Sequence, residues 1–492
     1  MQHIIKKQVI ELQIDKSLDS FSIQQQVSNH YLQQIVPLLQ IQFDSITNED
    51  EVLVLDKLEI DIGNLSATDI NNKETDNLFI KNTIEHTIEQ LKKEKGFSDE
   101  SFSNTKPANS YRQWFYYMQK GYLPWNVLQP SEKWYTEVLQ QLATDFNSVE
   151  TLRKKIIDNK TFSYRIVKEH SYTFLSQLVS IITSKNQEKL FETINEICIA
   201  LNRINIADAL ETSLDVPDVI LIWQNVLEIS AVGSFKTTNE ISKEILKTHI
   251  IHHQRKLSYE HINLFGEALI LQPIIKKLLH EKILKPAHII SEEINNENKK
   301  SPWNENINTN KNKKEAIMKA NENIEEQGIF ITLAGIVLLH PFLSSLFGGL
   351  HLLEKKQFTH LQSQEKAIIV LYYLATGKSV AAEHELVIPK ILAGFPIENT
   401  ITKNTTLTEE EMEEADGLLI AVIAQWSILR NTSLTGLRET FLQRSGKIFT
   451  KNKEMHIQME KSSIDILLDH LPWGLNIIKL PWVNNIIRTE WR

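Results

Sequence analysis

The stretch LATGKS at 374–379 ends like a nucleotide-binding loop. A phosphate loop needs G-x-x-x-x-G-K-[ST], following a buried strand and opening a helix. Its glycines let backbone N–H groups close around phosphate, and its lysine reaches the β and γ phosphates. Gly377, Lys378 and Ser379 fit, but the place of the first glycine is taken by Tyr372. The preceding run EKAIIVLYYLATG has helical spacing, with Ile368, Leu371 and Tyr372 on one face. Gly377 is therefore expected to end a helix at positive φ. That end presents carbonyls and partial negative charge, the wrong pole for phosphate.

Three further groups could do chemistry. His249 and His253 are four apart, a spacing that sets two metal ligands on one helix face. The zinc-protease pattern H-E-x-x-H needs Glu at position 250, which is Ile250, and adding His252 and His261 supplies no carboxylate ligand. Surface histidines are the expectation. Cys198, in the apolar helical run NEICIALNRI, is expected to be a buried inert thiol. Glu383-His384-Glu385 offers an acid and a base, but adjacent residues on a helix point in different directions. Neither G-x-S-x-G nor G-x-G-x-x-G occurs. The expectation is a protein that is not an enzyme and needs no cofactor or metal.

Composition narrows the class. The 492 residues are enough for two to four domains, and 42% hydrophobic with 23% charged residues is ordinary for a globular chain. A net charge of −9 argues against a dedicated nucleic-acid binder. A single cysteine excludes an intramolecular disulfide framework and any cysteine-based zinc finger. The opening MQHIIKKQVIEL has neither an apolar h-region nor a small-residue cleavage site, so no secretory signal peptide is expected and the cytoplasm is the expected first location. Residues 328–353 contain no Asp, Glu, Lys or Arg and are long enough for a bilayer crossing of ~20 residues. His340-Pro341 in the middle and Gly348-Gly349 in the second half fit a pair of short buried helices hinged at Pro341 equally well. Membrane contact, if it occurs through 328–353, belongs late in the protein's life.

The elements that would position these residues give a mainly α chain. Residues 1–66 read as a small α+β unit: a strand over 8–14 with Ile10, Leu12 and Ile14 on one face, a helix capped by Ser17 and kinked or divided at Pro37, and a strand over 51–62. Residues 67–108 form a polar, partly helical connector, loop-like at SDESFSNTKPANS. Residues 109–292 carry apolar side chains every three or four positions with no clean repeat, which predicts an irregular stack of helix pairs. Residues 293–327 are nearly free of large apolar side chains and read as a polar linker. Residues 328–492 are expected to be mostly helical with a few late strands. Thr408 and Glu411 form a capping box, Ser433 caps the next helix, and the tail from 454 reads as strand, short helix and two strands.

Ten stretches, the six C-terminal ones in the family's order, resemble the contractile injection system tape measure family of phage-tail-like extracellular particles. HIIKKQVIELQID, FSIQQQVSNHYLQQIVPLL and LDKLEIDIGNL lie at the start. GIVLLHPFLSSLF, LYYLATG, EHELVIPKILAGFP, EEEMEEADGLL, LRNTSLTGLRETFLQRSGKI and LPWGLNIIKLPWV follow at the end, and YRQWFYYMQKGYLPW at 111–125 matches a further segment. Together these cover 1–66, 109–125 and 328–492. The resemblance implies an assembly component that occupies the inner tube's lumen and sets tube and sheath length. It also implies partners among the inner tube, the baseplate or spike and the tube terminator, with self-association open. Fully helical, 492 residues reach at most about 740 Å. A middle that looks partly globular leaves open an assembly chaperone or scaffold without ruler activity.

For such a protein the site residues are contact residues. The candidates are the hinge His340, Pro341 and Phe342 and the aromatic anchors Trp473, Trp482 and Trp491, two of them in LPW triplets. The competing reading packs all six in the core.

Overall fold

The computed structural model of the protein describes residues 3–5, 8–15, 19–45, 51–53, 58–61, 82–87, 103–127, 129–208, 219–233, 235–252, 271–280, 328–402, 405–452 and 454–491. The linker expected at 293–327 and most of the connector at 67–108 lie outside them. The fold is mainly α, with strands concentrated toward the C-terminal end. It divides into two units, 1–113 with 125–141, and 114–124 with 142–492.

In the smaller unit, the helix starts at Ser20 with Asp19 as its cap, not Ser17: the Asp19 carboxylate accepts from the Phe21 N–H. It runs through Ser20–His30, widens into a π turn at Tyr31–Ile35, and continues as Val36–Asp44. Pro37 sits in the first turn of that last piece, where its missing N–H costs nothing. The π turn just before it is where the expected division occurs. Ile35 and Ile84 form the buried centre, with Tyr31, Leu38, Leu39, Phe43 and Ile60 packed around them. The strand expected over 8–14 is not formed: residues 8–15 carry no strand pairing among the described residues, and Val9, Ile10 and Leu12 are exposed. An alternating pattern specifies a strand only when a partner edge exists. Of the strand expected over 51–62, β1 (Glu51–Leu53) forms and 58–61 does not; β1 pairs antiparallel with β2 (Ser103–Thr105), which lies in the stretch expected to be a loop.

The larger unit opens with a helical layer. Helices Phe146–Asp158, Lys160–Glu169, Tyr172–Thr183 and Thr238–His252 pack against Val219–Val232. That hub buries Ile220, Ile222, Trp223, Val226 and Leu227, and its one interior amide, Gln224, donates to Lys160 O and Ser163 Oγ at 3.0 and 2.9 Å. Asp145, Asn159 and Ser171 cap the helices that start at Phe146, Lys160 and Tyr172 through side-chain oxygens.

Residues 328–491 add a five-stranded mixed sheet ordered β3-β6-β7-β9-β8. Its strands are β3 (Ile329–Ile331), β6 (Gly446–Lys451), β7 (Glu454–Met459), β8 (Ile477–Ile478) and β9 (Ile487–Glu490). A separate hairpin joins β4 (Leu353–Glu354) and β5 (Gln357–Phe358). Strand, short helix and two strands at the tail, the Thr408–Glu411 capping box and the Ser433 cap are as the sequence predicts. The uncharged run 328–353 is broken into β3, a 3-10 helix at Ala334–Leu339, the helix Leu343–Gly349 and the start of the hairpin, with the break at His340-Pro341. Residues 333–339 are buried throughout. Among the described residues no helix is long and apolar enough to cross a membrane.

Candidate functional site

The helix Leu361–Thr376 ends where the nucleotide-loop candidate lies. Gly377, at φ 72°, donates its N–H to Tyr373 O at 2.7 Å. The last carbonyls, Leu374 O and Ala375 O, accept from Arg438 Nε at 3.1 Å and Gln443 Nε2 at 3.0 Å. Cations at a helix C-terminus satisfy its dipole, and an anion there would not be held. Burial pushes the Cys198 thiol up to about 11, so it stays protonated and inert. His249 lies in the helix Thr238–His252, while His253 and His261 fall outside the described residues. Among the described residues no group of three His, Cys, Asp or Glu could hold a metal ion.

Glu383, His384 and Glu385 do point apart, each into a different structural role. Glu385 accepts from Tyr372 Oη at 3.0 Å and from the Ala382 N–H at 3.1 Å. His384 Nδ1 lies 3.4 Å from Tyr117 Oη. Glu383, fully buried, anchors a network that sequence reasoning missed. Its carboxylate takes Lys390 Nζ on one oxygen and Lys168 Nζ at 2.7 Å on the other. Lys390 also donates to Ile397 O at 3.1 Å and Asn399 O at 2.7 Å. Arg165 spans from Met118 O to Glu398 O. Glu169 accepts from Tyr117 Oη at 2.7 Å and from the Glu383 N–H at 3.2 Å.

Burial alone would raise the Glu383 carboxyl, but Lys390, Lys168 and Arg165 together outweigh it and hold it below the usual range. Burial pulls Lys390 down to about 8, partly offset by Glu383. Burial lowers Arg165, and burial followed by the Glu383 charge raises Glu169. Three cations against two carboxylates, nearly all donors paired, leave no open face for a substrate. This is a structural junction between the helical layer and the C-terminal residues. No single stretch of sequence signals it, because Lys168 and Glu383 are 215 positions apart.

The six contact candidates fall in two places. His340 and Phe342 are half-buried and Pro341 is exposed. Phe342 meets Trp473 edge to face at 5.0 Å between ring centres, and the Trp473 indole donates to Leu338 O at 3.0 Å. Trp482 donates to Leu392 O at 2.7 Å and packs between Phe347 and Phe358, each 5.5 Å away. Trp491 is buried, and its Nε1 has no partner among the described residues. Trp473 and Trp491 line one cleft of about 420 Å³, together with Leu468, Asp469, Leu471, Leu475, Asn476, Thr489 and Glu490. The two LPW triplets thus hold rings against backbone carbonyls, and Trp473 also lines the cleft, as does Trp491 outside the triplets.

No curated protein and no solved structure matches this chain. A family model described as contractile injection system tape measure protein matches residues 2–491, nearly its whole length, including the parts where sequence motifs alone show no resemblance. That membership supports a structural or assembly role alongside other components of such a system. The chain belongs to the contractile injection system tape measure family.

Proposed function

We propose that this chain is a tape measure in the literal sense: it occupies the lumen of the inner tube during assembly and sets the length of tube and sheath. The observation that carries this reading is the family match over 2–491, which takes in both ends and the middle. In this reading residues 1–66 and 328–492 dock at the baseplate or spike side and at the terminator side, and 109–292 with the linker at 293–327 set the distance between them. The protein is made in the cytoplasm and then enclosed in the particle. The work is done by binding, with no catalytic step.

One observation favours a second reading. The helices between 146 and 252 are gathered around the hub Val219–Val232, a stack far shorter than a continuous rod of the same residues would be. A folded middle suits an assembly chaperone that shares the family's ends. Particle length by negative-stain electron microscopy separates the two, with helical residues inserted between 292 and 327. A proportional increase in tube and sheath length is the expected result. Particles of normal length and appearance would sink the ruler and leave the chaperone.

A further inference from the structure

The β4–β5 hairpin pairs Leu353 with Phe358 and Glu354 with Gln357, so it turns through just Lys355 and Lys356. Both lysines are left-handed, at φ 50° and 64°, and so is His351 at the base, at φ 56°. A two-residue turn with positive φ at both places suits the twist of the strands, but it is built for Asn-Gly, because a Cβ there crowds the following carbonyl. At the β6–β7 turn the left-handed place is filled by Asn452, a residue that tolerates it. Among the described residues, three of the six non-glycines with positive φ fall within 351–356, and two of these are lysines in a turn that disfavours them. Residues kept in a costly conformation mark places where the side chain has a use.

The tip is firmly held and stands in the open. The Gln357 side chain donates to Pro481 O at 2.9 Å, and Trp482 packs between Phe347 and Phe358. The second LPW triplet thereby braces the hairpin from one side. Lys355 and Lys356 are both exposed, and among the described residues neither ammonium has an ion-pair or hydrogen-bond partner. The other titratable groups of the stretch are Glu354, His351 and His360, all exposed, and Glu414 stands against Gly349 just before it. None of them is paired with either lysine.

We propose that the Lys355-Lys356 tip docks an acidic segment of another particle protein, setting its two ammoniums against neighbouring carboxylates. Charge selects the occupant: on a chain of net charge −9, two adjacent unpaired cations attract an acidic segment and repel a basic one. Number selects its class. A lipid surface is read by clusters of about four to eight Lys or Arg, and nucleic acid by many phosphate contacts at once. Two cations beside Glu354 suit a short run of carboxylates in a protein. Because the brace fixes the tip beforehand, little freedom is lost on docking. The inference rests on the reading that the chain works by docking to other particle components, but not on its setting length.

The test is Glu354→p-benzoylphenylalanine, which puts a photo-crosslinker beside the tip in full-length protein inside particle-producing cells. Mass spectrometry then identifies what is joined. The expected product is a peptide of a different protein with at least two Asp or Glu close together. Its yield should fall at least tenfold when Lys355→Asn and Lys356→Gly are added. That pair also relaxes the turn, so the purified variant should melt about 2–4 °C higher, which rules out misfolding as the cause of the loss. Lys355→Arg with Lys356→Arg should keep the yield. A crosslink only to a second copy of this chain would overturn the proposal, as would one to lipid, to nucleic acid or to a segment without carboxylates. So would no crosslink, a yield unchanged by Asn-Gly, or an Asn-Gly variant that melts no higher. Particle length measured in the same cells keeps the two readings apart. A specific acidic crosslink with length unresponsive to the 292–327 insertion removes the ruler and keeps the docking tip; the reverse pattern removes the docking tip alone.

Discussion

His170 carries the clearest single-residue consequence. It is half-buried and both ring nitrogens are engaged: Trp114 Nε1 donates to its Nε2 at 2.8 Å, and its Nδ1 lies 2.8 Å from Ile166 O. One ring nitrogen accepts and the other donates, so only the neutral imidazole fits. Burial accordingly pulls its pKa from 6.5 to about 4. With the folded value below the unfolded one, the unfolded chain binds the extra proton first. The stability from keeping His170 neutral is present above pH 6.5 and is lost as pH falls toward 4, about 3 kcal/mol in all. Urea unfolding at pH 7.5 and pH 5 should show this loss in the native protein and a smaller one in His170→Gln. Equal pH dependence in both would assign the acid sensitivity elsewhere. The same scale shows why LATGKS misleads: three residues match a phosphate loop, but their chemistry is set by which end of a helix they occupy.

Among the elements, local signals held where the chain needs only itself. Thr408 and Ser433 cap their helices through side-chain oxygens, interactions closed within three residues, while at the first helix the cap is Asp19, two positions beyond the expected Ser17. Elements defined by a distant partner are different. β3 forms because 329–331 pairs with 446–448, and β2 because 103–105 pairs with 51–53. Close approach of elements gives a second prediction. Gly335, in the 3-10 helix Ala334–Leu339, lies so near the turn at Arg438–Leu442 that a Cβ would stand 1.7 Å from Phe441 O. Gly335→Ala must push these two elements apart and is expected to cost about 3 kcal/mol or more by overpacking. Gly417→Ala, on a helix with open space around it, should be neutral or slightly stabilising in the same melting experiment. Comparable melting temperatures for the two variants would refute the close contact.

At the scale of the whole molecule, the larger unit is held together in two ways. Among the described residues, the buried cluster of 329–491 takes only Tyr122 from earlier in the chain, with Tyr116 packed at its edge. The helical layer meets it through Arg165, Lys168 and Glu169 instead. Removing the anion at such a junction strands buried cations. Glu383→Gln is expected to cost about 3–5 kcal/mol in urea unfolding. Lys390→Met should cost less, because Glu383 keeps Lys168 at 2.7 Å. If Lys390→Met proves as damaging as Glu383→Gln, the carboxylate is not the centre of the junction. Particle length under the 292–327 insertion belongs to this scale as well, since a ruler is a property of the complete chain.

What the sequence determined by itself follows from short-range physics and from ordered resemblance. Helical periodicity, caps, Gly377 as a helix end, the break at Pro341 and the mainly α class need only neighbours in the chain, and family membership needs only motif order. Tertiary structure decided the rest. Glu383 could not be recognised as an ion-pair centre until folding brought Lys168, Lys390 and Arg165 around it. Nor could Trp473 and Trp491 be set apart from Trp482, since only folding places the first two along one cleft and packs the third between Phe347 and Phe358. The pattern at 8–14 has strand alternation without a strand, because pairing depends on an edge supplied by another segment, and none of the described segments supplies it.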